Sequence, residues 1–141
     1  MNHTTTYWLT ALLSLAVLDS CASEGGIASK NSSTREKWNV RTVQHGKASW
    51  YSVKTNAGTR TASGERLSNA AATAAHKTLP MGTHVRVTNL DNGKSEIVRI
   101  TDRGPYTKGR IIDVTVGCAE RLGFYSRGVV PVKVEVLHKK S

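Results

Sequence analysis

Three titratable side chains stand in stretches that hold a backbone still. Asp102 closes the apolar alternating run Arg99-Ile100-Thr101-Asp102, and Arg103-Gly104-Pro105 follows at once as a turn, which predicts a carboxylate at a strand end. Glu65 comes directly after a glycine in Thr61-Ala62-Ser63-Gly64-Glu65, and His76 ends the run Ala74-Ala75-His76, each in a segment too irregular for a long helix. Two carboxyl groups and an imidazole in one cleft can do acid-base work: a carboxyl gives a proton to a leaving oxygen, and the same or a second carboxyl takes one from the attacking hydroxyl. Read singly, each residue has a plainer role. Asp102 opens a turn by bonding to the main chain ahead of it, Glu65 is a solvated loop acid, and His76 is a satisfied histidine at the rim of the fold. The chemical reading therefore requires a fold that brings residues 65, 76 and 102 together.

The elements that must do so are short strands. Thr83-His84-Val85-Arg86-Val87-Thr88-Asn89 alternates apolar with polar, Glu96-Ile97-Val98-Arg99-Ile100 is apolar enough to pair with it, and Asn92-Gly93 between them is a strong hairpin signal. Arg110 to Thr115 reads as a third strand. Val132-Lys133-Val134-Glu135-Val136 reads as a fourth with its valines on one face, Pro131 being tolerated at its start. Lys47 to Tyr51 is a further strand. Between these, Val116 to Leu122 is expected to form one short helix, capped by Thr115, with Ala119 and Leu122 turned inward and Gly123 as the stop. Short strands, frequent Gly turns and one small helix predict a compact, mainly β barrel.

At 141 residues the chain has room for one domain of ordinary size. Its formal charge of +10 is spread from Lys30 to Lys140, which suits a polyanionic surroundings without choosing between nucleic acid, anionic lipid and an acidic wall polymer. No recognition helix, RNP-like aromatic strand or zinc spacing is present, so nucleic acid is not the expected partner. His76 and His84 fall in different elements with no cysteine beside them, so neither a metal site nor a cofactor is expected.

The first residues read as an export signal. Tyr7 to Leu18 is uncharged and apolar, long enough for a signal-peptide core and short for a membrane span, and Leu18-Asp19-Ser20-Cys21 resembles a bacterial lipobox, with Cys21 as the lipidated residue. Asp19 inside the box and the lack of Lys or Arg before it depart from the usual pattern. Removal of residues 1–20 would take away Asp19 alone among charged residues and leave +11. Residues 21–45, rich in Ser, Gly, Lys and Asn, read as a flexible tether spanning about 25 Å. Cys118, without an intrachain partner, is expected to be a small buried residue. The sequence thus divides into a signal peptide (1–20), a lipidated tether (21–45), a barrel domain (46–137) and a basic tail (138–141).

Gly46-Lys47-Ala48-Ser49-Trp50-Tyr51, Thr61-Ala62-Ser63-Gly64-Glu65, Thr73-Ala74-Ala75-His76-Lys77-Thr78-Leu79-Pro80-Met81-Gly82-Thr83, Val85 to Leu90, Asp102-Arg103-Gly104-Pro105-Tyr106 and Arg110-Ile111-Ile112-Asp113-Val114 follow one another in the order of the rare lipoprotein A family, which the chain resembles over about ninety residues. The resemblance implies a six-stranded double-psi β-barrel with one or two short helices, shared with expansins. It implies an exported lipoprotein acting on peptidoglycan glycan strands, in some members as a lytic transglycosylase that prefers strands poor in peptide. It implies anchoring through the N-terminal lipid to a membrane, with the outer membrane, facing the periplasm, as the expected location. Asp102 takes the acid-base role by resemblance and Glu65 an assisting one. His76 is expected to bond to one of the two carboxylates and set its protonation. Trp50, Tyr51, Thr61 and Arg103 are the candidate substrate contacts. The two aromatic rings can stack on sugars, but as strand neighbours they face opposite ways, so at least one belongs to the core. Arg103 is expected to face outward or to meet a substrate carboxylate. Ser52 and Leu67 depart from the family pattern, and the chain stops at Ser141 where many members continue into a wall-binding domain. A non-catalytic polysaccharide-binding barrel of the expansin kind is the competing expectation.

Overall fold

The computed structural model describes residues 37–55 and 59–141. Strands β1 (Trp38–Tyr51), β2 (Thr73–His76), β3 (His84–Asn89), β4 (Ser95–Asp102), β5 (Arg110–Thr115) and β6 (Val130–Lys139) close into a barrel in the order β1-β5-β2-β4-β3-β6. Two of the six pairings, β1 with β5 and β2 with β4, are parallel. The others are antiparallel, and the ring of pairings closes on itself.

The barrel is filled by the period-2 faces of its strands. Val85 and Val87 from β3, Val98 and Ile100 from β4, Ile112 and Val114 from β5, and Val130, Val132 and Val134 from β6 are all at most 1 % exposed. On β6 the intervening Lys133 and Glu135 stay on the outer face, where Glu135 pairs with Arg86 at 3.3 Å. The Asn-Gly hairpin forms between β3 and β4, with Gly93 at φ +74°. The expected helix is α1 (Val116–Arg121): Thr115 caps it by accepting from the Cys118 N–H, and Gly123, at φ +75°, ends it. Ala119, Leu122 and the following Phe124 plug one end of the barrel, and Cys118 is a buried free thiol.

Two boundaries differ from the sequence expectation. The barrel begins at Trp38, not Gly46, so the last residues assigned to the tether are strand. The assigned basic tail also begins inside β6, where Trp38 opposes Lys139 and Asn39 opposes His138. This first half of β1 forms an exposed ribbon along β6, which β3 flanks on its other side, with Val40 and Val43 close to half exposed. It is held by main-chain hydrogen bonds and by Trp38, whose ring lies 4.9 Å from that of His84, so no buried apolar alternation advertises it. The expected signal peptide and Cys21 lie outside the described residues.

Candidate functional site

A register shift in β4 turns Asp102 onto the outside of the barrel. Ala74 opposes Ile100 but Ala75 opposes Asp102, so Thr101 is the extra residue of a bulge. Plain alternation would send Asp102 inward with Val98 and Ile100; the bulge reverses it. Its Oδ1 accepts from the Ala62 N–H at 3.0 Å and from the Arg103 N–H at 2.9 Å. The Thr61–Glu65 turn is in turn fastened to the bulge by a 3.0 Å bond from the Ser63 N–H to the Thr101 carbonyl. The turn-opening role of Asp102 and a place on an accessible face therefore coexist: Oδ1 is committed to the main chain, while among the described residues Oδ2 has no recorded partner.

Glu65 reaches this neighbourhood through its main chain, and its carboxylate is engaged by an arginine of β4 that opposes Thr73. Arg99 grips both oxygens, at 2.6 and 2.9 Å, and this ion pair holds the exposed carboxyl below its ordinary range.

His76 is corrected more sharply. It does not bond to a carboxylate. Its Nδ1 accepts from the Thr78 and Leu79 N–H groups at 3.2 and 3.1 Å, and its Nε2 meets the Gln44 side-chain oxygen at 3.0 Å. An Nδ1 used as acceptor leaves the proton on Nε2, which donates to Gln44. Burial, then the charges of Arg103 and Lys77, keep the imidazole below its ordinary pKa and so neutral. The plain reading of a satisfied histidine at the barrel rim describes it, and what it fastens is the end of β2 to β1.

Arg103 also departs from expectation. Its guanidinium turns back onto the main chain, donating to the His76 and Leu79 carbonyls at 3.1 and 2.8 Å. Thr61 is 7 % exposed, its hydroxyl bonded within its own turn to Ser63 and to the Glu65 carbonyl. Of the two aromatics, Trp50 packs against the core, stacked at 4.8 Å on Tyr125 and donating to its carbonyl at 3.2 Å.

Tyr51 lies on the other face, with Asp102. Its phenolic oxygen is buried without a partner of good geometry among the described residues, as is the Thr101 hydroxyl. Burial pushes the phenol up to about 12; the Thr73 and Thr101 hydroxyls oppose the shift, and the charges of Asp102 and Asp113 add to it.

Asp113 is the carboxylate that motif spacing did not single out. Ser49 on β1 opposes Asp113 on β5, Asp113 opposes Ala75 on β2, and Ala75 opposes Asp102 on β4. Residues in register across neighbouring strands share a face. This face is the outer one, because the adjoining Val114, Ala74 and Ile100 line the core. The Asp113 carboxylate accepts from the Ser49 hydroxyl, and Arg110 lies 3.5 Å from the same hydroxyl oxygen. Burial raises the carboxyl above its ordinary range, with the Ser49 bond and the Arg110 charge opposing. The sequence signal was the lone acid in the apolar strand Arg110-Ile111-Ile112-Asp113-Val114, which becomes informative only once register is known. Asp102, Asp113, Tyr51 and Thr73 are each half-buried, so part of every one remains open to a ligand.

A closed barrel with two crossed parallel pairs and a carboxylate-bearing outer face defines the class, a double-psi β-barrel. Solved structures of that shape include the Streptomyces papain inhibitor, TM-score 0.56 at 20 % identity over 70 % of this chain and 97 % of that one. A Clavibacter michiganensis expansin mutant in complex with cellohexaose has TM-score 0.57 at 16 % identity over 71 % of this chain and 52 % of that one. Within the class, residues 43–134 match the family described as lytic transglycolase, and the chain belongs to that family. The endolytic peptidoglycan transglycosylase RlpA of Neisseria meningitidis is 53 % identical over 93 residues, covering 66 % of this chain and 38 % of the relative. The Pseudomonas aeruginosa protein of the same name is 53 % identical over 90 residues, covering 64 % and 26 %. The probable endolytic peptidoglycan transglycosylase RlpA of Synechocystis is 50 % identical over 98 residues, covering 70 % and 30 %. The chain thus spans between about a quarter and two fifths of the length of these relatives.

Proposed function

We propose that the protein is a peptidoglycan lytic transglycosylase that cuts the bond between N-acetylmuramic acid and N-acetylglucosamine in glycan strands, with peptide-poor strands as the preferred form. In this reaction the C1–O4 bond breaks, a C1–O6 bond forms within the muramic acid residue, and the O6 proton is balanced by one delivered to O4. The products are a 1,6-anhydro end and a free hydroxyl, and no water is consumed. Asp102 is the carboxylate that exchanges protons with the sugar. The observation that carries the reading is the β4 bulge: it places a carboxylate on the outer face and pins one oxygen with two main-chain N–H groups, so that the other is presented in a fixed direction.

The family and the names of its relatives support the choice of substrate. The charge of +10 supports a long-range attraction to an anionic wall. The lipobox-like Leu18 to Cys21 supports export and a lipid on Cys21, anchoring the domain at the outer membrane toward the periplasm.

Purified peptide-stripped glycan incubated with the protein is expected to yield anhydro-terminated fragments by mass spectrometry. Asp102→Asn is expected to abolish them while still sedimenting with sacculi. Unchanged product from that variant removes Asp102 from the chemistry. Sedimentation by the wild type without any product would make the barrel a polysaccharide binder.

A further inference from the structure

Where the ribbon leaves the barrel, the described residues enclose a cavity of about 430 Å³, a size within the range of small-molecule sites. We propose that this cavity is a subsite for an unsubstituted muramic acid residue of a glycan strand, with Arg41 and Lys139 holding its free lactyl carboxylate and Trp38 lying against the sugar ring. The proposal rests on the lyase reading and names the group by which that reading selects peptide-poor strands.

Strand register builds the cavity. His84 on β3 opposes Leu137 on β6, and Leu137 opposes Val40 on β1. Trp38 and Lys139 oppose each other two residues further along, so they share that face, and the Trp38 ring comes to 4.9 Å from that of His84. Arg41 is the extra residue of a second bulge, since Val40 opposes Leu137 while Thr42 opposes Val136. The turn from Leu79 to Thr83 supplies the remaining wall. The cavity adjoins the face that carries Asp102. Arg103, the residue after Asp102, holds the Leu79 carbonyl at 2.8 Å, and Arg99, opposite His84, precedes Asp102 on the same strand. A glycan lying across Asp102 can therefore place another of its sugars here.

The lining suits an anion carried on a partly apolar ring. None of the residues that line the cavity is acidic, and among the described residues neither Arg41 nor Lys139 has a recorded ion pair, so both charges are available. Burial, then the charges of Arg99 and Lys139, keep His84 below its ordinary pKa and so neutral; it supports the Trp38 ring without adding a third cation. The indole offers a flat apolar surface to the C–H face of a pyranose, and the Arg41 guanidinium matches the two oxygens of a carboxylate. Muramic acid that carries a stem peptide has an amide where stripped muramic acid has that carboxylate. Charge-assisted hydrogen bonds from Arg41 and Lys139 therefore favour the stripped form, because the amide carbonyl is only a neutral acceptor. Stem peptides bring carboxylates of their own further from the sugar, the other source of the same anion in a cell wall.

The test is calorimetric titration with three probes: peptide-stripped glycan fragments, the same fragments with their lactyl carboxylates converted to primary amides, and peptide-bearing fragments. The full chain carrying Asp102→Asn is used, so that nothing is cut, with and without Arg41→Gln and Lys139→Gln together. Stripped fragments are expected to bind at least ~10-fold more tightly than amidated ones, and the added pair of substitutions, both at exposed side chains, to remove most of that difference while the protein melts as a folded one. Equal affinity for stripped and amidated fragments overturns the proposal whatever the paired substitutions do. A preference undiminished by the paired substitutions places the carboxylate elsewhere and overturns it too. Tighter binding of peptide-bearing than of stripped fragments assigns the cations to stem-peptide carboxylates and overturns the lactyl assignment. Cleavage of stripped glycan by the wild type, followed in parallel, judges the lyase reading separately: no product alongside a retained carboxylate preference removes the lyase and leaves this subsite standing in a polysaccharide binder.

Discussion

Tyr51 offers a quantitative test of how closed the outer face is around its two carboxylates. Its phenol ionises at about 12 in the folded protein against 10.0 for an ordinary tyrosine. Below pH 10 the phenol is neutral in both folded and unfolded chains and contributes nothing to the pH dependence. Between pH 10 and 12 the unfolded chain loses the proton first, so stability falls as pH rises through that window. Two units correspond to a loss of at most about 2.7 kcal/mol, an upper value because part of the ring is open to solvent. At a urea m-value of about 1.5 kcal/mol/M that is a fall in midpoint of somewhat under 2 M. The assay is urea unfolding at pH 9, 10, 11 and 12 for wild type and Tyr51→Phe. Lysines titrating in the same window act on both proteins, so the difference between the curves isolates the phenol. At pH 7 the two are expected within about 1 kcal/mol of each other, because the lost hydroxyl had no well-formed partner. Above pH 10 the wild type is expected to fall away from the variant. Parallel curves across the whole range would refute the reasoning, and with it the picture of a phenol buried beside Asp102 and Asp113.

Other substitutions test the frame around the site. Phe124→Ala empties a fully buried position at the plugged end of the barrel and is expected to cost ~3–5 kcal/mol in chemical denaturation. Gly117→Ala should gain helix propensity, yet its new Cβ would lie 2.7 Å from the Asn69 carbonyl oxygen, so a lowered melting temperature is expected. Glu65 and Arg99 form one bidentate unit, so Glu65→Gln, Arg99→Ala and the double variant are expected to reduce glycan cleavage by the same factor. Multiplying effects would show that Glu65 acts on substrate independently of Arg99. Gln44→Ala removes the only side-chain partner recorded for the His76 Nε2 among the described residues and is expected to increase amide exchange at the end of β2 before it alters the pH profile of cleavage.

The strands with a buried face were legible because alternation reports burial directly: Val85 and Val87, Val98 and Ile100, and the valines of β6 all point where their spacing says. The helix was legible from its cap and its glycine. The ribbon from Trp38 was not, since its residues are exposed and its stability lies in hydrogen bonds that any side chain permits. At the site the main limit was register. The Thr101 bulge reverses the direction of Asp102, and nothing in Arg99-Ile100-Thr101-Asp102 marks it. Asp113 became visible only when three strands were laid side by side, and His76 lost its expected carboxylate partner because the turn after it supplied two N–H groups to the ring. Motifs located the neighbourhood; the strand pairings decided which side chains face one another.

The ribbon also bears on how such a domain can be built into larger architectures. Trp38 and Lys139 are neighbours, and the Lys140 N–H still reaches the Lys37 carbonyl at 3.2 Å, so the chain enters and leaves the barrel at one doorway. A unit with adjoining ends can be spliced into a loop of a host protein without stretching either junction. It should equally accept circular permutation, with the old ends joined by a short bridge and new ones opened at the exposed Asp91-Asn92 tip.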